Sequence, residues 1–270
     1  MVKLYIVGTP IGNLKDITLR ALEVLGFVDV IACEDTRHSQ ILLKHYEISK
    51  PLFSVQKFNE KKSSQKVISL LKSGKNVAYI SDAGMPSVSD PGFVLMQEVM
   101  AEKLEVEIIP GVTAITTAIV GSGLKTEKFA FLGFLPEKTS DKKQVIQTYE
   151  NVDATLIFYS SSHNISDDLE FLFKSLGGRK VVVANELTKM FEKYICGELG
   201  KLIIPEPKGE YVLLVEGVKP ESPLNELSLE KHLEYYIKQN FSKMEAIKKV
   251  ASDRKVAKSE IYKHFIESKE

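Results

Sequence analysis

The chain has 270 residues, 44% of them hydrophobic and 27% charged, with 36 basic residues against 36 acidic ones. These proportions describe a globular protein long enough for two cores and exclude a fibre or a disordered chain. Zero formal net charge argues against a surface that coats nucleic acid throughout, and no apolar run reaches the ~18 residues of a membrane span. The opening Met1-Val2-Lys3-Leu4 leads into a strand without the charged region and cleavage site of an export signal, so a cytoplasmic location is expected. Cys33 and Cys196 form neither a disulfide framework nor a metal-ligand spacing. Cys33 lies in an apolar run and reads as a buried thiol, and no metal is expected.

In chain order, residues 4–7, 28–32, 77–80 and 106–109 are short β-branched runs, separated by amphipathic helical stretches at 18–25, 63–73 and 93–101. This alternation predicts an α/β domain over 1–120 with a mostly parallel sheet. Gly121-Ser122-Gly123 breaks the pattern and marks a boundary. A second α/β domain is predicted over 121–220, with strands at 129–134, 155–159, 181–184 and 211–215 and helices near 142–150 and 164–176. Pro220-Glu221-Ser222-Pro223 reads as a linker, because proline stiffens the chain and removes donors. A helical domain at 225–270 follows, with segments at 229–238, 244–251 and 260–266. Ser242 and Glu245 have the spacing of a capping box. Between 238 and 263, eight basic residues face three acids; the tail is a nucleic-acid reader or a solvated helical cap.

Three predicted strands run into loops built for close backbone approach. They are Gly8-Thr9-Pro10-Ile11-Gly12-Asn13, Ser81-Asp82-Ala83-Gly84-Met85-Pro86-Ser87-Val88-Ser89-Asp90-Pro91-Gly92, and Pro110-Gly111-Val112-Thr113-Ala114. Neither the Gly-x-Gly-x-x-Gly fingerprint nor a Walker-type phosphate loop is present, so a ligand with little negative charge fits better than a nucleotide triphosphate. Asp82 reads either as an acceptor for a ribose or as a turn-forming aspartate. Glu34-Asp35-Thr36-Arg37-His38 ends another strand and reads as a base, a phosphate-holding arginine and an orienting acid, or as a helix start capped by Asp35 or Thr36. Asn185-Glu186-Leu187-Thr188-Lys189 ends a strand of the second domain; polar strand ends in both domains imply a cleft between them. Glu186 and Lys189 also read as an exposed i,i+3 pair.

With these residues assembled, the chain resembles the ribosomal RNA small-subunit methyltransferase I family, a branch of the tetrapyrrole methylases. The resemblance rests on residues 5–14, Glu34-Asp35-Thr36-Arg37, residues 81–92, Pro110-Gly111 and Glu186-Leu187-Thr188-Lys189. It implies two tetrapyrrole-methylase-type α/β domains with S-adenosylmethionine in the cleft between them. It further implies methyl transfer to the ribose 2′-hydroxyl of a cytidine in the decoding region of 16S RNA, within the small ribosomal subunit. By this resemblance Pro10, Asp82, Gly84, Met85, Thr113 and Ala114 line the cofactor, with Tyr159 and Asn185 added from the second domain. Glu34 or Asp35 would take the proton or orient the ribose, Arg37 would hold a flanking phosphate, and Lys189 with Glu186 would complete the polar rim. The resemblance also implies a homodimer, for which residues 114–120 are apolar enough, and a helix-turn-helix-like tail in which Lys255 stands where such a turn favours glycine. Methylation of a tetrapyrrole, or cofactor and RNA binding without catalysis, are the alternatives.

Overall fold

A computed structural model of the chain describes residues 2–55, 60–218 and 223–267. The described residues form two compact units, one spanning 1–150 and 154–217, the other 151–153 and 218–270. In the larger unit the first sheet contains β1 (Lys3–Val7), β2 (Val30–Cys33), β3 (Leu52–Ser54), β4 (Val77–Ile80) and β5 (Glu105–Ile109). Their spatial order is β3-β2-β4-β1-β5, and every pairing is parallel. Parallel neighbours need crossovers, supplied by α1 (Leu19–Phe27), α2 (Thr36–His45), α3 (Glu60–Lys72) and α4 (Phe93–Ala101).

The period-2 geometry of β1 sends Tyr5 and Val7 to a core with Val24 and Leu25 of α1. Leu4 and Ile6 go to the opposite core with Val67 and Ile68 of α3 and Leu95 and Val99 of α4. With both faces covered, these strands read as continuous apolar runs. Burial of each such Leu, Ile or Val contributes about 1.5–3 kcal/mol.

α5 (Ala114–Ser122) leads to the second sheet, made of β6 (Phe129–Phe134), β7 (Thr155–Ser161), β8 (Lys180–Asn185), β9 (Lys193–Glu198) and β10 (Glu210–Val215), with α6 (Thr139–Tyr149) and α7 (Ile165–Leu176). The order is β6-β7-β10-β8-β9; only β6 and β7 are parallel. Ala118 and Ile119 of α5 pack on Val182, Val212 and Leu214 of this sheet. Thus α5 leaves the first sheet but is buried against the second, and Gly123, at φ 67°, ends it in the left-handed conformation that glycine adopts freely.

The smaller unit holds α8 (Leu229–Lys238), α9 (Lys243–Asp253) and α10 (Lys258–Glu267) around Leu233, Ala246, Ile247, Val250 and Ile261. Ser242 and Glu245 form the expected capping box. Lys255 adopts φ 56°, the glycine-favouring turn conformation noted from the sequence. Of the anticipated linker, residues 220–222 lie outside the described residues. No described helix is long and apolar enough to cross a membrane.

Candidate active site

The loops after β1, β4 and β5 meet because glycine lets their backbones touch. A Cβ on Gly8 would lie 2.7 Å from both the Gly111 nitrogen and the Met85 sulfur. Thr9 and Gly84 exchange two backbone hydrogen bonds, of 2.9 and 3.1 Å, and the Thr9 hydroxyl donates to the Ser81 carbonyl at 3.2 Å. A fourth loop joins from the second sheet. A Cβ on Gly12 would sit 2.7 Å from Lys189 Cγ, and the Asn13 N–H donates to the Thr188 hydroxyl at 3.0 Å.

The β4 loop is held under strain. Ser87 and Ser89 have φ 70° and 68°, conformations that cost a non-glycine residue about 1–2 kcal/mol. The loop's far end is pinned by the Tyr79 hydroxyl, which donates to the Pro91 carbonyl at 2.7 Å. Glu60 Oε1 adds a second pin by accepting the N–H groups of Gly92, Val94 and Leu95 at 2.7, 3.0 and 3.3 Å. Gly92 caps α4 without a side chain, so the carboxylate of α3 serves the orphan donors instead.

Two cavities adjoin along Ile11, Ala83, Lys189 and Glu210. One, of about 270 Å3, lies between the carboxyl edge of the first sheet and β6, β7 and β10 of the second; its wall includes Gly84, Met85, Asp90, Thr113, Phe134 and Tyr159. The Phe134 and Tyr159 rings meet edge to face at 5.4 Å. The other, of about 550 Å3, is lined by Thr9, Pro10, Asp35, His38, Ser81 and Asp82 among others.

Gly84, Met85, Thr113, Ala114 and Tyr159 therefore share the smaller cavity, together with Lys189. Pro10, Asp82 and Asp35 face the larger one. Asp82 accepts the Asp35 N–H at 3.2 Å and lies 3.6 Å from His38 Nδ1. Asn185 lines neither cavity: it is buried, and its amide nitrogen donates to the carbonyls of Lys208 and Glu210 at 3.1 and 3.0 Å. Glu34, Arg37 and Glu186 also lie off both walls.

Asp35 caps α2 by accepting the Arg37 N–H at 2.8 Å. Its two oxygens also take the Arg37 guanidinium, at 3.1 and 2.6 Å. These bonds to Arg37 hold the Asp35 carboxyl down at about 2. The cap anticipated from the sequence is thus present, and it explains a basic residue in a helix's first turn: Asp35 neutralises Arg37 there. The Arg37 side chain remains 89% exposed. Lys189 bridges Glu186 at 3.0 Å and Glu210 at 3.6 Å, while Glu186 also accepts the Glu210 N–H at 3.2 Å. Both Glu186 and Thr188 have positive φ, 51° and 64°, so this turn is held in shape by its partners.

Sequence reasoning passed over Asp90 as a site residue. It is half-buried on the smaller cavity; burial, then the charges of Glu34 and Asp82, push its carboxyl up to about 7. Burial likewise raises Glu34, with Asp82 the next cause. The signal available beforehand was a second acid near the end of a glycine-rich loop; that it does not cap the following helix is visible only in three dimensions.

Residues 3–203 match the model of the tetrapyrrole (corrin/porphyrin) methylases. A protein of Halalkalibacterium halodurans named ribosomal RNA small subunit methyltransferase I is 42% identical over 268 residues, covering 96% of this chain and 93% of that protein. Its namesake in Bacillus subtilis is 40% identical, covering 96% and 92%. A crystal structure of diphthine synthase shares the fold, with TM-score 0.67 at 19% identity over 80% of this chain and 90% of that one. The methyltransferase CobJ does so with TM-score 0.64 at 18% identity, covering 80% and 95%.

The methyl donor of such enzymes is S-adenosylmethionine. The smaller cavity fits it: apolar and aromatic walls, bare backbone at Gly84 and the Asp90 carboxylate, which has no partner among the described residues, suit a cationic sulfonium with a flat base. Two sheets, four interlocked loops and these likenesses agree: the chain belongs to the ribosomal RNA small subunit methyltransferase I family of the tetrapyrrole methylases.

Proposed function

We propose that the protein methylates the ribose 2′-hydroxyl of a cytidine in 16S RNA of the small ribosomal subunit. The observation that carries this reading is the pair of adjoining cavities: a compact one suited to the methyl donor, and a larger one with Asp35, His38 and Asp82 on its wall, next in sequence to an exposed arginine. The namesake relatives supply the RNA class. When bound, S-adenosylmethionine supplies an electrophilic methyl and leaves as a neutral thioether.

In this reading Gly84, Met85, Thr113, Ala114 and Tyr159 hold the donor, while Pro10 and Asp82 line the acceptor's entry. Asn185 acts at one remove, fixing the β8–β10 edge beneath Lys189. Asp35 tethers Arg37 close to the chain, and Arg37 reaches a flanking phosphate, where a guanidinium fork suits phosphate geometry. Lys189, linked to Glu186 and standing on both cavities, holds the rim between donor and acceptor. Glu34 acts through its charge on the neighbouring acids. Transfer itself is an in-line displacement, for which orientation supplies much of the acceleration. The protein works as a cytoplasmic homodimer, with Val120, 76% exposed on α5, as one candidate contact.

The test incubates the protein and methyl-labelled cofactor with small subunits, naked ribosomal RNA and a porphyrin precursor. Label at one alkali-resistant phosphodiester of the subunit's RNA is the expected result; label on a base or on the porphyrin refutes it. Sedimentation of the full chain at micromolar concentration tests the dimer.

A further inference from the structure

We propose that Asp90 accepts the proton of the acceptor hydroxyl during methyl transfer, an inference that rests on the ribose reading above. Four observations carry it. Asp90 is one of the residues lining the cavity that suits the donor. Among the described residues, no hydrogen bond or ion pair engages that carboxylate. Its neighbours are engaged: Asp35 with Arg37, Asp82 with the Asp35 N–H and His38, Glu210 with Lys189. Its backbone is pinned on the C-terminal side by Tyr79 at Pro91 and by Glu60 at Gly92, so the acid is held in place before any ligand arrives.

The electrostatics favour the same role. The titratable groups whose charge couples to Asp90 are Glu34 at the end of β2, Tyr79 on β4, Asp82 after β4 and Tyr159 on β7, and Lys189 and Glu210 share the cavity wall with it. Burial and the two nearest acids hold Asp90 at about 7, where a general base works best at neutral pH. A cationic donor in the cavity favours the ionised carboxylate, and loss of that positive charge during transfer restores its affinity for a proton. The base therefore strengthens as the reaction advances. The steps balance: the ribose O–H bond breaks and its proton passes to an Asp90 oxygen, the hydroxyl oxygen's electron pair forms the O–CH3 bond, and the C–S pair departs with sulfur.

The experiment compares the wild type with Asp90→Asn and Asp90→Glu, using small subunits and labelled S-adenosylmethionine, with circular dichroism to establish folding. Cofactor binding is measured by calorimetry at pH 7 in buffers of different ionisation enthalpy. Asp90→Asn is expected to bind the cofactor within about 5-fold of wild type and lower kcat by about 100-fold or more. It should also lose the rise of kcat/KM through neutral pH, which reports the free enzyme, and the proton release that accompanies binding of the cation in the wild type. Asp90→Glu should recover part of the rate and the pH dependence, and its recovery answers the objection of a misfolded asparagine variant.

Asp90→Asn with kcat within about 3-fold of wild type overturns the proposal. So does an unchanged kcat with cofactor affinity lost, which would make Asp90 only a counter-ion. These results leave the RNA reading intact, since the wild type would still label ribose. A wild type that labels no RNA overturns both, because Asp90 would then have no ribose to serve.

Discussion

Glu60 is where the fold's stability and the order of the site meet. Its carboxylate accepts three N–H groups at the start of α4, at 2.7, 3.0 and 3.3 Å, and the residue is 9% exposed. Glu60→Ala leaves those donors unserved beside Leu95, which is fully buried. Loss of a helix cap costs about 0.5–2 kcal/mol, and a charged acceptor for buried donors adds to it; the contributions share donors and do not sum. A total of about 2–4 kcal/mol is expected, which at ~2–4 °C per kcal/mol lowers the melting temperature by roughly 4–16 °C. Glu60→Gln keeps the shape and one acceptor and should lose about 1 kcal/mol, the part due to charge at the helix terminus. Differential scanning calorimetry of the full chain gives both values. Because Gly92 is two residues from Asp90, the alanine variant should also lower kcat at temperatures where it remains folded. An alanine variant within 0.5 kcal/mol of wild type would refute the capping argument, and a stable variant with normal kcat would detach the cap from the site.

Three further outcomes follow from particular contacts. Asp90, held at about 7 against an ordinary 3.8, binds its proton more tightly in the folded state. Its contribution is thus full below about pH 4 and is lost as pH rises through about 7, so cofactor-free Asp90→Asn should be more heat-stable than wild type at pH 8, by at most about 4 kcal/mol; equal melting temperatures at pH 8 would count against the perturbed carboxyl. Arg37, whose described partner Asp35 is its own helix cap, should tolerate alanine within about 0.5 kcal/mol of stability, while RNA affinity falls and its slope against salt decreases by about one counterion. Filter binding across a salt series reads this, and an unchanged slope removes Arg37 from the phosphate contacts. In the smaller unit, Asp253 takes the Tyr236 hydroxyl at 2.5 Å and meets Nε2 of His232, a fully buried ring, at 3.0 Å. Asp253→Ala should destabilise α8 and α9 by about 2–4 kcal/mol, seen as faster amide exchange in 229–253 of the full chain, with no change in the first sheet.

Much of the fold was legible because it depends on local rules. Runs such as Val77–Ile80 are apolar throughout since both sheet faces are covered, and Ser242 with Glu245 announces its helix start by spacing alone. β9 was not anticipated: its pattern Lys-Tyr-Ile-Cys-Gly-Glu is half exposed at a sheet edge, where neither alternation nor an apolar run is imposed. Nor does a sequence show that α5, following a strand of the first sheet, buries its apolar face on the second.

The same division holds at the site. Gly8, Gly12, Gly84 and Gly111 mark where backbones approach, and the order of residues by itself determined that strand-end loops would build a crevice suited to a ligand with little negative charge, while the resemblance to a family supplied the donor's identity. Only tertiary structure decided which acid faces which space. Asp82 and Asp90 are eight positions apart in one loop, yet one meets Asp35 and His38 on the larger cavity while the other, on the smaller, has no partner among the described residues. The reason is physical: a carboxylate's chemistry is set by the charges, donors and water within a few ångströms of it. Those neighbours, Glu34 after β2 and Tyr159 of β7 among them, come from distant parts of the chain and are assembled only when the sheets and helices pack.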